Sequence, residues 1–189
     1  MCSLSTRVNG YDIETGDIVF SCLGLKGERG DLAYTSPVLA GDICVSMGGF
    51  KGPAIGFRMQ GTGDITEDQR LWRVAQKNPQ RIGSAVYVDG YLYMANAGPN
   101  TIECIDPKTG TALWQQRSGG AHWGSMVSAD GRLYTTDQDG TTFVFRPNPD
   151  RYEPVATNRL DDPGNSTPAI VDGAVYLRTF RHLYCIRAQ

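Results

Sequence analysis

Gly83-Ser84-Ala85-Val86-Tyr87-Val88-Asp89-Gly90-Tyr91-Leu92-Tyr93 returns in the same order of residue types as Gly124-Ser125-Met126-Val127-Ser128-Ala129-Asp130-Gly131-Arg132-Leu133-Tyr134. It returns again as Ser166-Thr167-Pro168-Ala169-Ile170-Val171-Asp172-Gly173-Ala174-Val175-Tyr176 and, one residue shorter, as Thr35-Ser36-Pro37-Val38-Leu39-Ala40-Gly41-Asp42-Ile43-Cys44. The glycines Gly41, Gly90, Gly131 and Gly173 stand 49, 41 and 42 positions apart. Each copy reads as a hairpin. Asp-Gly between β-rich runs favours a two-residue turn with positive φ at both central residues, whose twist matches that of the strands. Three of the four copies carry it. A repeat of roughly 40 to 50 residues built of short strands is the spacing of propeller blades.

A second strand pair follows each hairpin, most plainly Thr101-Ile102-Glu103-Cys104-Ile105, then Asp106-Pro107-Lys108-Thr109-Gly110, then Thr111-Ala112-Leu113-Trp114. In that link Asp106 is placed to accept backbone N–H groups, Pro107 presets φ, and Gly110 suits a left-handed position. Trp114 then lies where a large flat ring fills the space between adjacent sheets. The same link opens the chain as Tyr11-Asp12-Ile13-Glu14-Thr15-Gly16-Asp17-Ile18-Val19-Phe20, with Asp12 and Gly16 in the turn and Phe20 at the Trp114 position. In the second module it is stretched from Gln60 to Arg70 before Leu71-Trp72-Arg73. In the fourth it becomes Arg146-Pro147-Asn148-Pro149-Asp150-Arg151-Tyr152, with no terminal Trp.

Composition agrees with many short strands. The 23 glycines and 10 prolines are spread along all 189 residues, and 40% apolar content allows one core or a row of small ones. With 18 Lys+Arg against 20 Asp+Glu and no run of like charges, the chain is a poor match for nucleic acid or an anionic membrane. No apolar run approaches the roughly 18 residues of a membrane-spanning helix, and Met1 to Arg7 shows neither the basic nor the apolar region of a secretory signal. Five cysteines, an odd number without C-x-x-C spacing, point to buried free thiols rather than zinc or a disulfide framework.

Strand, Asp-Gly hairpin, Asp-x-x-Thr-Gly and a following Trp resemble the tryptophan-docking repeat of PQQ-like β-propellers, a family that includes quinoprotein alcohol dehydrogenases and BamB-like outer-membrane assembly lipoproteins. The resemblance runs from about Val8 to Arg187. It implies an all-β propeller of four-stranded antiparallel blades, in which Asp12, Gly16, Trp72, Asp106, Gly110 and Trp114 form the docking motif. Quinoprotein members hold PQQ under a disulfide between adjacent cysteines, beside calcium bound by Glu, Asn and Asp. This sequence has no adjacent Cys pair and no motif that places such a set, so no cofactor, metal or catalytic residue is carried over. BamB-like members are periplasmic scaffolds for a partner protein, and the resemblance implies that role and an extracytoplasmic location.

Candidate contacts are few. His122 and Trp123 lie at a link between blades and could line a binding mouth; the plainer reading has Trp123 sealing a blade junction and His122 solvated. Asp137-Gln138-Asp139-Gly140 starts like a calcium loop but lacks the later ligands, and reads as a turn. Gly61-Thr62-Gly63 lacks the Lys-Ser/Thr of a phosphate loop, and Glu67 with Asp68 reads as a solvated pair. The stretched Gly61 to Arg70 segment, with Asp64 in it, is the first candidate for a partner contact, since extra loop length on a rigid scaffold is where binding specificity resides.

With strands a to d counted outward from the axis, the expected modules are a partial blade over 8–22, blades over about 35–75, 83–116 and 124–156, and a last partial blade over 166–187. Because the first module reads as c and d alone and the last as a, b and c, the expectation is a C-terminal arc of a larger ring, with missing blades or another chain covering its open edges. The expected function is a non-catalytic protein-interaction or assembly scaffold. The alternatives are part of a PQQ-dependent dehydrogenase whose cofactor site lies elsewhere, or the sensor propeller of a signalling protein.

Overall fold

A computed structural model describes residues 1–27, 32–75 and 78–187. Its strands form five sheets in chain order. The first holds β1 (Cys2–Ser3), β2 (Arg7–Tyr11) and β3 (Ile18–Leu23). The second is β4 (Val38–Ala40), β5 (Ile43–Met47), β6 (Ala54–Arg58) and, past a two-residue strand β7 (Gly63–Asp64) and one helical turn α1 (Thr66–Gln69), β8 (Arg70–Val74). The third is β9 (Val86–Val88), β10 (Tyr91–Ala95), β11 (Thr101–Ile105) and β12 (Ala112–Arg117). The fourth is β13 (Val127–Ala129), β14 (Arg132–Thr136), β15 (Thr141–Arg146) and β16 (Glu153–Arg159). The last is β17 (Ala169–Val171), β18 (Ala174–Arg178) and β19 (Leu183–Arg187). These antiparallel blades make the chain an arc of β-propeller.

The hairpin turns have the geometry their residues favour. Asp89 and Gly90, Asp130 and Gly131, and Asp172 and Gly173 all have positive φ, whereas in the first copy Gly41 alone does. Opposite each docking position the ladder slips once, between Gly10 and Tyr11, Gly56 and Phe57, Cys104 and Ile105, and Val144 and Phe145. Such a bulge bends the strand and raises its twist. Its recurrence at one register shows that Phe20, Trp72, Trp114 and Ala156, which face Gly10, Gly56, Cys104 and Val144, are equivalent.

Three findings differ from the sequence reading. The first module has a third strand, because Cys2 and Ser3 pair with Asn9 and Val8. The stretched link does not stand out as a loop: Gly63 and Asp64 lie parallel to Phe20 and Ser21 along the outer edge of β3, joined by Ile65 N–H to Ser21 O at 2.9 Å. Of the cysteines, Cys22, Cys44 and Cys104 are buried as expected, but Cys2 and Cys185 are exposed because they sit on β1 and β19 at the ends of the arc. Burial pushes the thiols of Cys22 and Cys104 up to about 11 and that of Cys44 to about 12.

The core is a row of inter-blade clusters. Val8, Phe20, Cys22, Leu25, Cys44, Ile55, Phe57 and Ile65 fill the first interface. Val45, Met47, Leu92, Met94 and Ile105 with Trp72 fill the second, and Tyr93, Ile102, Leu133 and Phe145 with Trp114 the third. At the axis the blades are stitched by one repeated hydrogen bond. Ser36 N–H donates to Ser84 Oγ, Ser84 N–H to Ser125 Oγ and Ser125 N–H to Thr167 Oγ1, each at 2.9 Å.

Backbones approach so closely there that a Cβ on Gly83 would come within 2.1 Å of Gly124 O, and one on Gly124 within 2.5 Å of Ser166 O. Gly83→Ala is therefore expected to cost about 3 kcal/mol or more through overpacking against backbone. Gly41→Ala, where φ is +66° but nothing lies within 4 Å, is expected to cost about 1–2 kcal/mol of backbone strain alone. Urea unfolding of the two variants checks the order.

Candidate functional site

The docking residues show how one blade is seated on the next. Asp106 Oδ1 accepts Lys108 N–H at 2.9 Å, its Oδ2 accepts the Thr109 hydroxyl at 3.1 Å, and Gly110, at φ +73°, closes the turn by donating to Asp106 O at 2.8 Å. Asp12 makes the same turn, accepting Glu14 and Thr15 N–H at 2.8 and 2.9 Å, and these bonds hold its carboxyl below the usual range. Trp72 lies between Gly56 of its own blade and Gly110 of the next. A Cβ on either glycine would fall 2.3 or 2.6 Å from the indole. The Trp72 N–H donates to Pro107 O at 2.8 Å, and Trp114 N–H to Asn148 O at 2.9 Å. Trp114 is also boxed by Tyr93, Phe145 and Tyr152. Phe20 covers Gly10 in the same way but has no N–H to give. The stretched link supplies the missing polar contact through β7, and Ile65 fills the space beside the ring. Asp64 is exposed, and the Thr66 hydroxyl, together with the Thr66 N–H that donates to its Oδ1 at 3.0 Å, lowers its pKa and shapes the link.

The face opposite the Asp-Gly turns is built from the links entering each a strand and the turns between b and c. It has a regular frame: Gly49 N–H donates to Leu32 O, Ala97 to Gln80 O, Gln138 to Ala121 O and Phe180 to Pro163 O, all at 2.8–2.9 Å. The two residues after each acceptor are therefore equivalent around the arc, and they point differently. Arg81 and His122 turn inward. Arg81 Nη2 lies 3.0 Å from Glu103 Oε1, with side chains 5% and 0% exposed, while Asn78 Oδ1 and Gln115 Nε2 bind the remaining atoms at 3.1 and 2.8 Å. His122 lies over Phe143, the register equivalent of Glu103, and bonds the Thr135 and Ser118 hydroxyls at 3.1 and 2.8 Å. It is fully buried and Trp123 is 44% exposed, the reverse of a sealing Trp and a solvated His. With no surface of its own, His122 is not a contact residue; it fixes the loop that carries Trp123. Tyr34, Ile82, Trp123 and Asn165 share the outward position.

One cluster has no sequence signal. Asp162, 3% exposed, receives His182 Nδ1 at 2.6 Å, the Thr179 hydroxyl at 2.7 Å and the Tyr184 hydroxyl at 3.4 Å. The His182 bond leads in holding the Asp162 carboxyl below its ordinary value. Asp137 behaves as a turn residue, its carboxylate accepting N–H groups of Asp139, Thr141 and Gly120 at 3.1, 2.8 and 3.0 Å. Among the described residues no three His, Cys, Asp or Glu side chains gather as a metal set, and no helix is long and apolar enough to cross a membrane.

Blades joined by an aromatic ring on a turn glycine and by a Ser/Thr stitch at the axis define a docked-aromatic β-propeller. The family model described as outer membrane protein assembly factor BamB matches residues 61–148 and 98–186, and the chain belongs to that PQQ-like repeat family. Among solved structures, BamB from Moraxella catarrhalis is similar with a TM-score of 0.71 at 18% identity, over 95% of this chain and 51% of that one. The chain thus spans about half the length of that BamB. Two computationally designed proteins are also similar: Ika4 (TM-score 0.68, 12% identity, 93% of this chain and 100% of that) and Ika8 (0.67, 14%, 93% and 50%). At these identities the likeness shows the fold. No curated protein sequence matches the chain.

Arg81→Met leaves Glu103 buried without its cation, and is expected to cost about 3–5 kcal/mol, most of it recovered in the Arg81→Met/Glu103→Met double variant; denaturant unfolding of the cycle reads this. Burial lowers the His122 pKa, with the Asp137 charge opposing. The unfolded chain therefore takes up this proton first, so stability falls as pH drops below about 6.5, by at most about 1.4 kcal/mol per pH unit. His122→Gln is expected to flatten that slope between pH 7 and 5.

Proposed function

We propose that the chain is a non-catalytic docking scaffold that engages a partner protein through the face carrying Trp123. The observation that supports this most is the outward row on that face. Tyr34, Phe50, Trp123 and Phe180 are 45%, 46%, 44% and 63% exposed, on the links and b–c turns that the same backbone bond joins in four of the five blades. Rigidly presented aromatic rings are what binding hot spots are made of, because ordering them costs little further entropy. Membership in a family described by an outer-membrane assembly factor supports a component of that assembly machinery as the partner. Asp64, exposed on the outer edge, is a secondary contact in this reading.

Replacing Trp123 by a photo-crosslinking phenylalanine analogue is expected to trap one assembly component in cells. The same analogue at Ile13, 99% exposed on the opposite face, is expected to trap none. Trp123→Ala should weaken binding of the trapped partner by about 2 kcal/mol. Equal yields from both sites, or a Trp123→Ala variant that binds as well as the parent, would sink the proposal.

A further inference from the structure

The fourth blade interface departs from the other three. The third is filled by Ile102 and Trp114 from one side and Phe145 from the other. By register, the equivalents at the fourth are Thr142, Ala156 and Ile186. Every one of these replacements removes apolar volume. What remains is a cavity of about 220 Å³ between β14–β16 and β18–β19, lined by Tyr134, Thr142, Val144, Val175, Leu177 and Ile186 among others. Leu177 is buried, Tyr134 and Val175 are half-buried, and Ile186 is 43% exposed, so the cavity opens at that wall.

We infer that this cavity is a binding site for a small planar aromatic molecule of indole size. The chain itself shows which shape fits. At the same register in the preceding interfaces, the space over Gly56 and beside Cys104 is taken by the indoles of Trp72 and Trp114. Tyr134, Val144 and Ile186 stand where Tyr93, Cys104 and Phe145 surround Trp114. The walls present mostly apolar carbons, with Tyr134, Thr142 and Asn158 as the polar residues of the lining; the Thr142 hydroxyl is paired with that of Thr136 at 2.9 Å. Size is adequate, since an apolar cavity of about 150 Å³ already holds a benzene ring. A ring entering here gains contacts with Tyr134, Val144, Val175 and Leu177 and need not displace any packed side chain.

The site lies inside a blade interface and not on the Trp123 face, so it stands or falls apart from the docking proposal. The test is titration of the whole chain with free indole, followed by methyl NMR of Val144, Val175 and Leu177. Saturable shifts at these methyls with a Kd below about 1 mM are expected. Ala156→Trp, which supplies the ring from within, should weaken indole binding at least tenfold and raise Tm. If that variant folds poorly, Ile186→Trp fills the cavity from its open wall and should do the same. Absence of saturable shifts up to the solubility of indole, or binding that a folded cavity-filling variant leaves unchanged, overturns the inference. So do shifts confined to the Trp123 face.

Discussion

The first three blade interfaces depend on how one flat ring is seated between neighbouring blades. A blade is a single sheet only four strands wide and cannot bury both faces alone, so stability resides in nearest-neighbour interfaces. Trp72 meets that need with one side chain. It needs Gly56 beneath it, Gly110 above it at positive φ, and the Pro107 carbonyl within reach of its N–H. The Asp106 turn and the bulge beside the docking register are the devices that bring those three together. Where Phe20 replaces the indole, the lost donor is made good by lengthening the facing link until it pairs as β7. Where Ala156 replaces it, nothing fills the gap.

On the opposite face the division of labour falls between adjacent residues. One backbone bond, repeated in four blades, fixes each link, which leaves the side chains that follow free to differ. The inward one stabilises: Arg81 through a buried ion pair, His122 through two hydroxyls and a ring. A buried pair such as Arg81 with Glu103 offsets a large desolvation cost only because Asn78 and Gln115 complete its hydrogen bonds. The outward neighbour makes no such demands. Trp123 can therefore change without disturbing the frame that presents it.

The glycines, the Asp-Gly turns and the Asp-x-x-Thr-Gly link were legible in the sequence because backbone geometry dictates residue type at those positions. Phe20 and Trp114 were legible as equivalents for the same reason. The facing of link residues was not. His122 and Trp123 are neighbours with no period to sort them, and which one turns inward is decided by Thr135 and Ser118, 13 and 4 positions away. The fate of the Gly61 to Arg70 segment was hidden because its pairing partner is Phe20, about forty residues upstream. Asp162 with His182 was hidden likewise, since the two come together only when a link crosses a turn.

The last interface shows what the repeat can do without. Its apolar filling is thinner, yet the Ser125 to Thr167 stitch is kept at 2.9 Å and the Phe180 to Pro163 bond at 2.9 Å. Asp162 adds a clasp by holding Thr179 and His182 of the b–c turn. Directional bonds at the axis and at the link thus fix the position of the blade, and the space between the sheets is relieved of that task. The second and third interfaces keep the same stitch and add a ring that both fills the space and donates a hydrogen bond across it. In the fourth the ring is gone and the stitch and link bonds remain, so the blade is held in place without its apolar filling.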